Sequence, residues 1–399
     1  MVTIALLSLL ATRPQSPACT APPPAVSFPI HVPIEVASNH VYVKVCFGDR
    51  ELQFLLDTGA GQSFFDMGIA RSIDVQLGQH FTGHGAGAGT IDGAVVVNGS
   101  ITLEGTRLAV PVPAALDLSG LPPREGHVID GILGYNFIDQ YVVEVDYVKQ
   151  ELRLFDATRF SYSGPGTSLP FTFAANHPVV ETTLRLANGD TMSGRFVVDV
   201  GAASALSLTR PFVEEHRLRT RITPIVRRVA GGGVGGAVVT DVGRVAALKL
   251  GKFEVHNVIT SLYGDSAGVM SGNGSWIGNI GGDVLRRFNV FLDYRRHRII
   301  LEPHASTNEP FEADMSGVTF MLPNSPGRIV VSDVLRDSPG AAAGLAAGDT
   351  VTAIDGVPPN DARLRDLRQR LNHQNVEVEL TFVRGGASKT VRLKTRRLI

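Results

Sequence analysis

Apolar and polar residues alternate along positions 41–47, VYVKVCF. That period of two predicts a half-buried strand with Val43, Val45 and Phe47 on one face and Cys46, a small packed side chain, on the other. Further on, Phe54, Leu55 and Leu56 form an apolar run that stops at Asp57, and Phe196, Val197 and Val198 form another that stops at Asp199. Each reads as a buried strand ending in an acid. Near the C-terminus the period lengthens: in ARLRDLRQRLN, Leu364, Leu367 and Leu371 recur at i, i+3 and i+7, which predicts a helix beginning near Asp361. Residues 4–11 form a short apolar run like the core of a secretory signal, although no Lys or Arg precedes it, and TRPQSPACTAPPPAVSF then reads as an extended linker. Residues 1–28 are therefore expected to be signal-like and Pro-rich, and the protein to be exported, periplasmic or extracellular. Arg13 and Pro14 interrupt the apolar run before Cys19, which argues against a lipid-anchored cysteine. No apolar run reaches the ~18 residues of a membrane span.

The middle of the chain repeats itself. GILGYNFIDQYVVEVDYVKQELRLF, starting at Gly131, aligns without a gap with GNIGGDVLRRFNVFLDYRRHRIILE, starting at Gly278, an offset of 147. Upstream, VPIEVASNHVYVKV aligns with LPFTFAANHPVVET at an offset of 137, so that Asn39 and His40 meet Asn176 and His177. Asp57 meets Asp199 at 142, a drift that fits a longer hairpin in the second copy. Each copy consists of short strands and Gly-rich turns. The expected fold class is all-β: two similar barrel-like lobes over 29–162 and 163–306, related by an approximate two-fold axis. Equivalent residues of the copies meet near such an axis, so the repeat brings Asp57 and Asp199 together. The 43 glycines and 23 prolines among 399 residues agree with a turn-rich β fold.

The motif Asp57-Thr58-Gly59-Ala60 after an apolar strand, followed by Ile132-Leu133-Gly134, resembles the aspartic proteases. Two lobes in one chain are similar to the pepsin plan, and their shortness looks more like two retroviral-type subunits fused in tandem. The resemblance implies that Asp57 and Asp199 form a catalytic dyad sharing one proton, with water as nucleophile and no metal or other cofactor. It makes Thr58, Gly59, Val200 and Gly201 the supporting loops. It makes the Gly-rich segments 82–93 and 230–243 the flaps, with Gly83, His84, Gly85 and Gly87 in one and Gly231, Gly232 and Gly233 in the other. The second motif departs from the family: Val200 stands where Thr or Ser is usual. Losing that hydroxyl removes an inter-lobe hydrogen bond worth about 0.5–1.5 kcal/mol. Two readings follow, an aspartic endopeptidase or a catalytically impaired peptide-binding protein of the same fold. Two other patterns are weaker. The Gly runs at 83–88 and 231–236 fit loose dinucleotide signatures, but strand-like sequence follows them. Residues 264–268, GDSAG, fit a serine nucleophile elbow, but Gly and Asn follow where a helix is required.

After a linker at 307–315, TNEPFEADM, the C-terminal residues to 399 are similar to a PDZ domain of the kind associated with bacterial proteases. The resemblance assigns Gly317, Val318, Thr319 and Phe320 to a carboxylate-binding loop for peptide C-termini. It matches Ser338-Pro339 and the following alanines to the short helix. The expected partners are protein or peptide substrates and peptide C-termini. The arginines of the last helix and strand are expected to be solvated. With 37 basic and 38 acidic residues, a net charge of −1 supplies no field that would favour nucleic acid.

Overall fold

A computed structural model describes residues 17–20, 27–87, 89–103, 105–106, 108–264, 268–272, 274–322 and 328–399. The signal-like stretch 1–16 and the serine-elbow pattern around Ser266 lie outside the described residues.

The two copies are joined by a sheet to which both contribute. Tyr141–Asp146 of the first lobe lies antiparallel to Phe288–Asp293 of the second, with Val143 opposite Leu292 and Val145 opposite Val290. In this register Glu144 faces Phe291, its own counterpart 147 residues on, so the pseudo-two-fold axis passes between them. Glu151–Asp156 and Ile30–Ala37 extend the sheet on one side, and Arg298–Pro303 and Thr167–Ala174 on the other. Val143, Val145, Val290 and Leu292 are fully buried. Apolar runs on these strands are what a sheet covered on both faces requires.

Within each lobe the acid-bearing strand is a central one. Arg50–Leu56 pairs antiparallel with His40–Phe47 and parallel with Gly131–Leu133. Thr191–Asp199 pairs in the same way with His177–Arg185 and Gly278–Gly281. The parallel partners demand glycine. A Cβ on Gly131 would lie 2.5 Å from the Phe64 carbonyl oxygen, and one on Gly281 would lie 2.1 Å from that of Ser204. The ungapped alignment of GILG with GNIG therefore reflects a packing constraint present in both lobes.

The C-terminal module is a separate five-stranded antiparallel sheet, running in order from Val318–Met321 to Ala387–Lys394, with its own apolar core. The helix Asp361–Arg370 starts where the periodicity places it, capped by the Asn360 side chain, which accepts the Arg363 N–H. Leu364, Leu367 and Leu371 are buried, each contributing about 1.5–3 kcal/mol. The short helix Pro339–Ala342 is capped by Ser338.

Three expectations are corrected. Cys46 is not a free packed thiol: it forms a disulfide with Cys19, which ties the Pro-rich segment to the first lobe. The 307–315 stretch is not a loose linker. Phe311 is buried in the lobe core under the guanidinium of Arg287, 3.7 Å from the ring centre. Arg287, itself fully buried, donates to the carbonyls of Glu309 and Pro310. Arg365 and Arg368 of the last helix are also not simply solvated. They donate to the carbonyls of Gly126 and Glu125 in the first lobe, at 3.0 and 3.2 Å.

Candidate active site

Asp57 and Asp199 end equivalent strands at the seam between the lobes, each carboxyl packed against the glycine loop of the other lobe, and both line one cavity. The backbone turns just after each acid. Gly59 N–H donates to Asp57 Oδ1 at 2.7 Å and Gly201 N–H to Asp199 Oδ1 at 3.1 Å. Each glycine also lets the opposite acid approach. A Cβ on Gly59 would sit 2.8 Å from the Asp199 carboxyl carbon, and one on Gly201 would sit 2.2 Å from that of Asp57. No side chain fits at either position, so the two glycines are a condition of the pairing.

The seam is fastened by Thr58. Its hydroxyl donates to the Val198 carbonyl at 2.6 Å and accepts the Val200 N–H at 2.9 Å, wholly out of water. Val200 is fully buried and returns neither bond through its side chain. Two further crossings were visible in the repeat, which alone gives them no role. Asn39 donates across the seam to the Ala203 carbonyl at 2.9 Å, and its counterpart Asn176 to the Gly61 carbonyl at 3.2 Å. Both asparagines sit in the left-handed region (φ 66° and 67°) of two-residue hairpin turns, a conformation Asn tolerates.

Electrostatics separate the two acids. Burial, then the neighbouring Asp199 charge, holds the Asp57 carboxyl well above the ordinary carboxylate range. Asp199 is also raised by burial, but the hydrogen bond from Asp57 and the nearby His177 pull it back. Asn279 acts in the same sense as these last two: its Nδ2 donates to Asp199 Oδ2 at 2.9 Å. Ile132 occupies the corresponding place in the first lobe. Hydrogen bonds to a carboxylate favour its charged form. Burial and mutual proximity thus favour a protonated form of the pair, with the stronger upward push on Asp57.

Over the acids, two hairpins meet tip to tip. One is formed by Leu77–His84 and Thr90–Val96, the other by Val226–Gly233 and Gly236–Leu250. Gly87 N–H donates to the Val234 carbonyl at 2.9 Å and Gly89 N–H to that of Gly235 at 2.8 Å. Gly85 and Gly87 are required there: a Cβ on either would lie 2.3 Å from the backbone of the other hairpin. Gly233 packs against Ala86, whereas a Cβ on Gly83 would meet nothing. Gly231 and Gly232 lie within the second hairpin's strand, and His84 is exposed on the first. Acids, hairpins and the flanking strands enclose a cavity of about 1090 Å³.

The aspartyl protease family matches residues 43–137 and again 182–283, each stretch containing one acid and its hairpin, and a PDZ domain family matches residues 330–384. The chain belongs to the aspartyl protease family, matched in two tandem copies, and carries a C-terminal PDZ domain. No curated protein matches it.

The PDZ domain forms one wall of the protease cavity, a juxtaposition that sequence reasoning did not anticipate. Val318, Thr319, Phe320 and Met321 line it together with Arg368. Arg368 bridges the domain's helix to its edge strand and to the first protease lobe, donating to the Phe320 carbonyl at 2.6 Å as well as to that of Glu125. The Glu125 carboxylate lies 3.3 Å from His40, another cavity residue. The predicted carboxylate loop is already capped from within. Asp314 accepts the Gly317 N–H at 2.8 Å and the Ser316 hydroxyl accepts the Val318 N–H at 3.0 Å. Among the described residues no cluster of metal-ligating side chains occurs, and no helix is long and apolar enough to cross a membrane.

Proposed function

We propose that the protein is an aspartic endopeptidase. The observation that carries this reading is the pair Asp57 and Asp199, each packed against the other lobe's glycine loop at the floor of one cavity under two hairpins. In the proposed reaction Asp199, the charged member, takes a proton from a water lying between the acids. That water attacks the scissile carbonyl while Asp57 donates its proton to the carbonyl oxygen. Collapse of the tetrahedral diol moves a proton to the departing amine, and the pair returns to its singly protonated state. No acyl-enzyme forms. Hairpin closure sequesters the peptide from bulk water.

Val200 supports the alternative, a peptide binder of impaired activity. The retained Thr58 bonds weigh against it, because they already hold both backbone loops at the seam. Cleavage of an unstructured protein across pH 3–8 decides. The expected result is turnover by the wild type, reduced at least about 10²-fold by Asp57→Asn and by Asp199→Asn, with folding verified by melting. Turnover that survives both substitutions removes the pair from the reaction, and none by the wild type at any pH favours the binder.

The PDZ domain is proposed to bind peptide C-termini along its edge strand Val318–Met321, with the ligand carboxylate displacing Asp314 and Ser316 from the loop amides. An exported location is proposed as well, supported by the Cys19–Cys46 disulfide, a linkage that persists in oxidising compartments.

A further inference from the structure

At a few equivalent positions the two halves of the cleft, alike in backbone, differ in chemistry. In the first lobe Ile132 pairs with Phe64, and the two line the cavity with Leu116, packed in an apolar cluster beside Tyr42 and Leu55. In the second lobe the same register pairs Asn279 with Ser207, and Thr240 with Tyr263 where the first has Gly93 with Leu116. Phe64 and Ile132 have thus been replaced by Ser207 and Asn279, and Gly93 by Thr240.

Two polar atoms of the second half have no partner. Asn279 gives its Nδ2 to Asp199, which points its Oδ1 elsewhere, and that buried oxygen accepts nothing. The opposite amide orientation would set an oxygen against the Asp199 carboxylate, so the observed one is fixed by chemistry. The Thr240 hydroxyl, on a residue 1% exposed, is likewise unpaired and borders the cavity. Buried polar groups are ordinarily satisfied, so two unpaired ones bordering a substrate cleft point to a partner supplied by the substrate.

We infer that the cleft takes a peptide with a large apolar side chain against the first lobe and a hydrogen-bond-donating side chain against the second, on opposite sides of the scissile bond. This rests on the peptidase reading for the position of the peptide. A site built to pair with a polar group discriminates strongly against a residue lacking it, whereas an apolar pocket rejects a polar residue through the cost of desolvating it.

The test separates binding from turnover. Four C-terminally amidated dodecapeptides, identical except for a central Phe-Phe, Phe-Gln, Gln-Phe or Gln-Gln, are titrated by fluorescence anisotropy into the full-length Asp57→Asn protein. Amidation withholds the carboxylate from the PDZ domain. One of the two mixed peptides is expected to bind about tenfold more tightly than Phe-Phe and Gln-Gln. That preference over Phe-Phe should vanish when Asn279→Leu, or Asn279→Leu with Thr240→Val, is added. Phe-Phe binding as tightly as the mixed pair, a preference that survives the added substitutions, or no binding by any peptide overturns the inference. If the preference holds and the wild type cleaves none of the four, the asymmetry stands and the peptidase reading fails alone.

Discussion

The two protease lobes agree wherever backbone passes close to backbone and differ where side chains look into the seam. Gly131 and Gly278, Gly134 and Gly281, and Gly59 and Gly201 all leave no room for a Cβ. Asn39 and Asn176 make the same crossing in opposite directions. Against this common frame, Thr58 faces Val200, Ile132 corresponds to Asn279, and Glu144 stands opposite Phe291 on the axis itself. A dimer of identical subunits could hold none of these differences, because every residue would appear twice. Duplication within one chain frees each seam position to serve once. One threonine holds both loops, and one asparagine biases the acid pair.

The largest expected effect comes from removing the buried fastening at Thr58. Thr58→Val leaves the Val198 carbonyl and the Val200 N–H unpaired in a dry seam, a loss of about 2–4 kcal/mol in denaturant unfolding. Thr58→Ser should recover most of it. A Thr58→Val protein as stable as the wild type would mean that the seam is held by other contacts.

The axis pair sharpens the comparison through pH. Burial raises the Glu144 carboxyl to about 7, against the pull of its ion pair with Arg153. The folded protein then keeps a proton that the unfolded chain releases near its ordinary value of about 4.3, so stability declines as pH rises from there through about 7. Glu144→Gln should melt at least about 2 °C above the wild type at pH 8, with a smaller gap at pH 5. Equal melting temperatures at pH 8 would show that the Arg153 pairing fully offsets the burial.

A smaller shift is expected at the acids. Asn279→Leu withdraws a donor from the Asp199 carboxylate, which raises the pH at which Asp199 ionises. The acidic limb of kcat/KM should move to higher pH, while Ile132→Leu, at the equivalent place, leaves the limb where it was. The smallest effect belongs to Val200→Thr, which restores the second hydroxyl: a gain of no more than about 1 kcal/mol in the same unfolding assay, since Thr58 already satisfies the Val200 N–H.

Features written in local pattern were legible in the sequence. Apolar runs ending in Asp57 and Asp199, the Gly-rich hairpins and the leucine spacing of the last helix each depend on a few neighbouring residues, and the structure has them at those positions. Features that depend on distant chain returning to a place were not. Cys19 meets Cys46 only because the Pro-rich segment folds back on the first lobe. Phe311 is one aromatic in a polar stretch, and nothing in TNEPFEADM announces Arg287 as its cover. Arg368 has the spacing of any surface arginine, and its partial burial arises from the docking of two separate cores. Asn279 lay between the two cases. It is readable as the point where GNIG departs from GILG, but its meaning required the distance to Asp199. Gly83 lies in the first hairpin as read, although its position imposes no steric need for glycine.

The tip-to-tip bonds from Gly87 and Gly89 to Val234 and Gly235 join parts of one polypeptide. Closing the lid is therefore a first-order event, with its probability set by the tether and not by how many molecules are present. An enzyme assembled from separate halves falls silent on dilution; here the hairpin contact forms within one chain and does not depend on concentration.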